Sequence, residues 1–310
     1  MKLVVALGGN ALIQKEQKGS VFEQFANART ALQGIIELVK EGHQIVLTHG
    51  NGPQVGNILI RSQLAKDEAY GIPLGVAVAQ SQGEIGYMLE QCLQNKLGEA
   101  GIFMPVCCIL TQVIVSKNDP SVKSPSKPIG MFLSEKEALK LEKQNIPVIE
   151  DAGRGWRRIV SSPKPLEIVE KKEIQKLIDE DVIVIACGGG GIPVYWNKKD
   201  WLEGMDAVID KDLSSAVLAK EIEADELIIL TAVEKVYLNF KKPNQKELNE
   251  ITVSEAKKFL NEGHFAKGSM EPKIQASINF LESGGKKVII SSIEKCFDAF
   301  KGKTGTRIVP

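Results

Sequence analysis

Glycine-rich turns follow three apolar stretches of the chain, and turns of this kind can bind anions. The apolar stretches are residues 4–7, 45–48 and 182–186. Because glycine has no Cβ, its backbone N–H groups stay accessible to a ligand and its φ can be positive. One such turn is typical of a tight connection, but three at the ends of buried strands predict one crevice for a phosphate or a small carboxylate. The residues that we expect to bind this ligand are Gly8, Gly9, Asn10, Gly50, Asn51, Gly52, Gly189 and Gly190.

Two lysines stand near predicted helix starts, where a positive charge is unfavourable. Lys211 follows Asp210 at one start, and Lys273 follows Ser269, a candidate N-cap, at another. The N-terminus of a helix already carries partial positive charge, so an anionic ligand would remove the conflict. A solvated Lys211, neutralised by Asp210 and Asp212, is an equally good interpretation of that segment. The repeated pattern nevertheless favours a shared anionic substrate.

Other catalytic motifs are absent from the sequence. It contains no recognisable Ser-His-Asp triad of hydrolases, no HExxH motif of zinc proteases and no EF-hand loop. The GxxxxGK[ST] motif of P-loop proteins and the protein-kinase signatures are also absent. The glycine turns do not follow the GxGxxG spacing, which disfavours a Rossmann dehydrogenase. His49 borders a glycine turn and is interpreted as structural. No spacing of His or Cys predicts a metal site built by the protein.

The composition limits the function classes further. Lys+Arg and Asp+Glu both number 39 in 310 residues, so no net positive charge attracts nucleic acid. No apolar run has membrane-spanning length, and the first residues do not resemble a signal peptide. The five cysteines are scattered in apolar surroundings and are interpreted as reduced, buried thiols. These features predict a cytoplasmic protein without a nucleic-acid or membrane partner.

The order of the elements predicts the fold class. Short, continuously apolar stretches at 3–7, 45–47, 182–186, 227–230 and 288–290 are typical of strands buried on both faces of a parallel sheet. Segments with helical periodicity separate them, for example Leu32, Ile35, Ile36 and Val39 before Gly42. The alternation predicts a three-layer α/β/α sandwich around a mainly parallel sheet.

One segment interrupts this alternation. Residues 116 to 165 are polar and rich in proline, but they also contain apolar material around Phe132 and Trp156. A flexible linker is possible on these features, and a small protruding subdomain inserted into the sandwich is favoured. Lys127 lies in this segment and would be an ordinary surface lysine elsewhere.

Together these motifs resemble the amino acid kinase superfamily and, within it, the carbamate kinases. The resemblance spans essentially the whole chain. The segments that carry it are ALGGNAL (6–12), THGNGPQVG (48–56), PSKPIG (125–130), EDAGRGWRR (150–158), CGGGGIPV (187–194), AVIDKD (207–212) and GSMEPK (268–273).

The resemblance implies an activity and the residues that perform it. The expected reaction is reversible phosphoryl transfer between ATP and carbamate by a homodimer, with magnesium held mainly by the nucleotide phosphates. Many superfamily members have a lysine just before the first glycine pair, where this chain has Ala6 and Leu7. The resemblance implies that Lys127 of the insert replaces that charge. Asp210 would orient Lys211 and could also orient Lys273, and the expected catalytic residues are Lys127, Lys211, Lys273 and Asp210.

The resemblance also divides the chain between the two substrates. Residues 1–212 would hold carbamate or carbamoyl phosphate, with the insert at about 116–165, and residues 213–310 would hold ATP or ADP. The residues expected around the nucleotide are Thr231, Ala232, Val233, Tyr237, Met270 and Lys273. Two alternatives stay open at this point: a superfamily kinase for another small carboxylate or phosphonate, and a nucleotide- or phosphate-sensing protein without turnover.

Overall fold

The computed structural model describes residues 1–14, 17–144, 146–150 and 155–310, together with all their side chains except those of Asn10 and Met131. Residues 151–154 of the predicted EDAGRGWRR segment therefore lie outside the described residues. Among those that are described, no helix combines the length and apolarity needed to cross a membrane.

The strands account for the predicted apolar stretches. Their bounds are β1 Lys2–Leu7, β2 Gln44–His49, β3 Val106–Cys108, β4 Gln112–Val115, β5 Lys127–Leu133, β6 Val148–Glu150, β7 Trp156–Val160, β8 Pro165–Ile168, β9 Ile183–Ile185, β10 Ile192–Trp196, β11 Leu202–Gly204, β12 Glu226–Thr231, β13 Val236–Leu238, β14 Lys246–Leu248, β15 Glu250–Thr252, β16 Lys287–Ser292 and β17 Thr306–Val309.

The helices follow the expected periodicity, and glycine or proline stands at several of their ends as expected. Their bounds are α1 Val21–Ala31, α2 Gln33–Lys40, α3 Gly52–Leu64, α4 Leu74–Glu99, α5 Pro120–Lys123, α6 Glu135–Glu142, α7 Lys171–Asp179, α8 Lys211–Glu221, α9 Val253–Asn261, α10 Met270–Glu282 and α11 Cys296–Phe300. Helix α2 ends before Gly42, which has a φ of +77°, and Pro53 lies in the first turn of α3. Short 3-10 turns occupy Gly9–Ala11 and Gly188–Gly190.

One eight-stranded sheet organises the molecule. Its strand order is β15-β17-β16-β12-β1-β2-β9-β3, and the strands from β16 to β3 pair in parallel. Strand β17 runs antiparallel to β16, and β15 pairs in parallel with β17. Alternate residues of β1 enter different cores, because Val4 packs on one face of the sheet and Leu3 on the other. The predicted three-layer α/β/α sandwich is thereby confirmed.

The predicted insert is a separate small unit. Strands β5, β7 and β6 form their own three-stranded antiparallel sheet, and α6 packs against it. Its β5 rests on α3 of the main body, where Gly56 and Gly130 meet closely. A Cβ placed on Gly56 would lie 2.0 Å from Cα of Gly130. Only glycine permits this approach, so the contact fixes the insert beside the C-terminal edge of the main sheet.

Candidate active site

The three glycine-rich turns meet at one edge of the sheet. They follow β1, β2 and β9, which are neighbouring parallel strands, and their carboxyl ends therefore face the same crevice. The crevice has a volume of about 230 Å³. The residues lining it that the sequence had singled out are Gly9, Gly50, Asn51, Gly52, Lys127, Gly189, Asp210, Lys211 and Lys273.

Two predicted glycines lie behind the crevice instead of lining it. A Cβ on Gly8 would lie 2.7 Å from the carbonyl oxygen of Leu230 on β12. A Cβ on Gly190 would lie 2.3 Å from the carbonyl oxygen of Ile209, and the φ of Gly190 is +92°. Both glycines let neighbouring backbones approach, and neither is among the residues that line the cavity. The side chain of Asn10, also predicted to bind the ligand, lies outside the described residues.

Gly189 has both a special conformation and a close neighbour. Its φ is +65°, and a Cβ there would lie 2.0 Å from Nδ2 of Asn51. The turn after β9 therefore packs directly on the turn after β2. This turn depends on the conformational freedom of glycine, because Gly189, Gly190 and Gly191 all have a positive φ.

A single buried carboxylate joins the two helix-start lysines. Asp212 accepts hydrogen bonds from Nζ of Lys211 at 2.5 Å and from Nζ of Lys273 at 2.7 Å. The side chains of all three residues are mostly buried, with exposed fractions of 11%, 13% and 5% for Lys211, Lys273 and Asp212. The interpretation of Lys211 as a solvated surface lysine is therefore wrong. Sequence reasoning missed Asp212 as the shared partner.

Asp210 has a different partner from the one expected. Its Oδ2 accepts a hydrogen bond from Nζ of Lys127 at 2.6 Å, and its Oδ1 caps α8 by accepting from the backbone N–H of Asp212 at 3.0 Å. Lys211 hydrogen-bonds to Asp212 instead, and Asp210 acts on Lys211 and Lys273 through its charge, so its role in orienting them stays a prediction. Asp210 also ties the insert to the start of α8, across the crevice.

Burial and charge act in opposite directions on this cluster. Burial lowers the pKa of Lys211 and outweighs its attraction to Asp212. Burial also acts to lower the pKa of Lys273, but the Asp212 carboxylate outweighs it and the net shift is upward. Burial disfavours the charge of Asp212, yet the two ammonium groups hold the pKa of its carboxyl well below the usual range. The cluster keeps positive charge at the crevice without an exposed counter-ion.

Buried polar side chains of α4 hold two of the glycine turns. Ser81 accepts a hydrogen bond from Nδ2 of Asn51 at 2.8 Å. Gln82 donates to the carbonyl oxygens of Thr111 at 3.1 Å and Gly188 at 3.0 Å, and accepts from the N–H of Thr111 at 2.8 Å. Ser81 and Gln82 are 0% and 1% exposed. No motif in the sequence distinguished them, because their partners are remote in the chain.

His49 supports the crevice as a neutral group. It is 2% exposed, and its Nδ1–H donates to the carbonyl oxygen of Gly50 at 3.1 Å. Burial lowers its pKa to about 4, and the positive charge of Lys211 acts in the same direction. A Cβ on Gly188 would lie 2.4 Å from its Nε2, so the ring packs against the glycine run. This geometry agrees with the interpretation of His49 as a structural residue.

Most residues expected around the nucleotide lie beyond the cavity itself. Thr231 ends β12, the neighbour of β1, and so lies at the same sheet edge. Tyr237 lies on β13, with its ring 5.7 Å from that of Phe240, and Met270 begins α10. The other residues of this set are Ala232 and Val233, in the turn after β12. Of the set only Lys273 lines the cavity. Ser269 also lines it, but its side chain does not cap α10 as predicted.

The acidic side chains of the crevice are already engaged. Asp210 and Asp212, the two acidic residues in its described lining, each bind lysine. Across the described ranges, no three His, Cys, Asp or Glu residues are placed to hold a metal ion. These residues fit a divalent cation that arrives on a nucleotide, because its phosphate oxygens and water can supply the ligands.

The chain matches a known protein family over most of its length. The model of the "Amino acid kinase family" matches residues 1–292. The chain therefore belongs to the amino acid kinase family, which confirms the superfamily resemblance of the sequence.

Full-length relatives narrow the comparison to carbamate kinases. The carbamate kinase of Clostridium perfringens is 49% identical over 314 residues, covering 100% of both chains. That of Thermococcus kodakarensis is 48% identical over 313 residues, covering 99% of both chains. The structure of the Giardia lamblia carbamate kinase bound to AMP-PNP is 44% identical, with a TM-score of 0.92, covering 99% of this chain and 98% of the other.

Proposed function

We propose that this chain is a carbamate kinase, which transfers a phosphoryl group reversibly between ATP and carbamate. In the direction of ATP synthesis, ADP and carbamoyl phosphate give ATP and carbamate, which decomposes to CO2 and ammonia. The observation that carries the proposal is the convergence of Lys127, Lys211 and Lys273 with the glycine turns on one crevice. The full-length similarity to carbamate kinases supports the choice of carbamate as the acceptor.

The chemistry explains why the crevice contains lysines and no general base. Carbamate is already an anion at neutral pH, so its oxygen can attack without losing a proton. The obstacle is electrostatic, because an anionic nucleophile must approach a polyanionic phosphate. Catalysis then depends on alignment and on neutralisation of charge. His49 is buried with a pKa of about 4 and is not required as a base.

We assign separate tasks to the three lysines. Lys211 and Lys273 share Asp212 and lie at the starts of α8 and α10, so they neutralise the phosphates of the nucleotide and the transferred group. Lys127 comes from the insert and stabilises the carbamate end. The N–H groups of Gly9 and Gly189 would add donors for the oxygens of the ligand, and each such donor is worth roughly 10²–10³ in rate.

Magnesium would bind through the nucleotide. Because Asp210 and Asp212 are engaged by lysines, the phosphate oxygens and water would supply most ligands of the ion. Its contribution would be to neutralise charge on the phosphates. The portion before α8 would hold carbamate and the portion from α8 onward the nucleotide, although β1 and β12 of these two portions pair in one sheet.

We also propose a cytoplasmic homodimer. Strand β3 ends the large sheet and leaves one edge open. Exposed apolar side chains surround that edge: Phe103 and Leu110 flank β3 and are 96% and 55% exposed, and Tyr87 of the adjacent α4 is 59% exposed. An apolar surface beside an open sheet edge favours association with a second copy.

Formation of ATP from ADP and carbamoyl phosphate, followed with a coupled assay, tests the proposed activity. We expect turnover by the wild-type chain and a loss of orders of magnitude in Lys211→Ala. Turnover of an amino-acid substrate without any use of carbamoyl phosphate would assign another kinase of the family. Nucleotide binding without turnover of either would assign a sensing protein.

A further inference from the structure

A second cavity lies outside the crevice, between the insert and α3. Its volume is about 360 Å³, within the range of small-molecule sites. None of the three crevice lysines lines it, and Ile129 of β5 is a wall shared by both cavities. Its apolar lining is Leu59, Ile60, Ile129, Leu133, Leu141 and Ile146. We call this cavity the insert groove.

One cation in the insert groove has a side-chain nitrogen that makes no hydrogen bond to any described residue. Arg158 of β7 lies opposite Ile129 of β5 and lines the groove. Its Nε is buried and makes no hydrogen bond within the part of the chain that the structure describes. Asp206 acts on it only as a charge at longer range, and burial lowers the pKa of the guanidinium. A buried donor without a partner is rare in folded proteins and calls for an explanation.

The other charges at the groove do not neutralise Arg158. Glu137 is engaged in the cap of α6, where its Oε2 accepts from the backbone N–H of Ser134 at 2.8 Å and from the Ser134 hydroxyl at 2.6 Å. Lys140 adds a second positive charge to the lining. The Glu137 carboxylate attracts Lys140 through its charge, so the groove combines an apolar wall with the Arg158 guanidinium, to which none of the described carboxylates hydrogen-bonds.

We propose that the insert groove binds a small organic monoanion, with its carboxylate on Arg158 and its apolar body against Leu59 and Leu133. A planar carboxylate matches the donors of a guanidinium in a bidentate pair. A single negative charge fits because a second would be buried in apolar surroundings without compensation. Binding would satisfy the Arg158 Nε and remove apolar groove surface from water.

Calorimetric titration with three probes tests the assignment. Hexanoate has both features, hexanamide lacks the charge, and acetate lacks the apolar body. We expect hexanoate to bind at least roughly tenfold more tightly than either of the others, because the charged pair and the apolar burial each contribute. Equal affinity for hexanoate and hexanamide, or no binding of hexanoate, would overturn the proposal from measurements on the wild-type protein alone.

Substitutions then locate the site. Arg158→Gln should reduce hexanoate binding to the level of hexanamide, while Arg61→Gln should leave it unchanged, because Arg61 is an exposed α3 residue outside the groove. Lys127→Ala should also leave it unchanged. Equal loss in Lys127→Ala would mean that the probe binds in the crevice and would overturn the assignment. Should Arg158→Gln not fold, Leu133→Ala is the substitute, with weaker hexanoate binding expected.

Discussion

At the scale of single residues, two aspartates separated by one lysine have different tasks. Asp210 binds Lys127 and caps α8, whereas Asp212 binds Lys211 and Lys273. The sequence shows both carboxylates beside Lys211, but not which of them points toward the remote Lys273. That choice depends on how α10 packs against α8, which local patterns do not encode.

Asp212→Asn is expected to damage both catalysis and stability. The variant would leave two buried ammonium groups with no full counter-charge, which costs about 3–5 kcal/mol. Misplaced lysines should lower kcat by roughly 10²–10³. Steady-state kinetics and urea unfolding measure the two effects. Asp298→Asn serves as the control, because Asp298 pairs with lysines at an exposed site. Normal kcat in Asp212→Asn would show that the lysines hold their places without it.

The burial of His49 leads us to expect that the stability of the protein depends on pH. Its pKa falls from 6.5 to about 4 in the folded protein, so below pH 6.5 the unfolded chain binds a proton that the folded protein excludes. The free energy of unfolding should therefore decrease as the pH falls from about 6.5 to 4, by up to roughly 3 kcal/mol from this residue. His49→Gln should remove this part of the slope, and His264→Gln should not. An unchanged slope in His49→Gln would contradict the assignment.

At the scale of elements, the glycine turns separate into two kinds. From the sequence, Gly9→Ala and Gly190→Ala are both expected to crowd the ligand while leaving the free protein stable. The structure corrects the second expectation. The Gly9 position has no heavy atom within 4 Å of its Cβ, but a Cβ on Gly190 would meet the backbone of Ile209 at a φ of +92°.

Melting temperatures with and without ADP and phosphate distinguish the two turns. Gly9→Ala should melt like the wild type when free and lose much of the shift that ligands produce. Gly190→Ala should melt at a lower temperature even without ligand, because a non-glycine residue at this φ is strained by about 1–2 kcal/mol. A normal ligand shift in Gly9→Ala would mean that its N–H does not face a bound anion.

The position of Lys127 in the insert leads to a prediction about the use of carbamoyl phosphate. Lys127→Ala removes positive charge from the crevice and leaves the Asp210 carboxylate without its partner, which repels an anion there. We expect kcat/KM for carbamoyl phosphate to fall far more than the affinity for ADP. Lys123→Ala, an exposed change in the same insert, should behave like the wild type. Parallel losses for both substrates would refute the assignment of Lys127 to the carbamate end.

Sequence patterns are sufficient to predict the large sheet and the insert. Five continuously apolar stretches became β1, β2, β9, β12 and β16 of one sheet, because burial on both faces leaves a plain signal. The insert was recognisable from its prolines and polarity. The hydrogen bonds of Ser81 with Asn51 and of Gln82 with Gly188 could not be predicted. Their partners are remote in the chain, and no neighbouring residue in the sequence marks a buried polar side chain of a helix as functional.

At the scale of the whole molecule, one sheet connects the two regions that we propose to bind carbamate and the nucleotide. The crevice lies where β1, β2 and β9 end, and β12 brings Thr231 to the same edge. The two edge strands of that sheet are β15 and β3, and the exposed side chains of Phe103 and Leu110 flank β3. An open edge beside apolar side chains is a surface that a folded protein usually covers.

A second copy of the chain is the partner that we expect at this edge. Wild-type protein should sediment as a dimer, and the double substitution Phe103→Asp with Leu110→Asp should sediment as a monomer, because burying two carboxylates in an apolar interface without partners is unfavourable. Trp201→Asp is the matched control, since Trp201 is 63% exposed on the hairpin before β11, whose strands belong to a different sheet from β3. Sedimentation velocity at several concentrations measures all three proteins. A wild-type chain that remains monomeric throughout, or a double variant that remains dimeric, would contradict the β3 interface. Because the crevice lies within one chain, the monomeric variant should retain turnover, and its loss would show that association also shapes the active site.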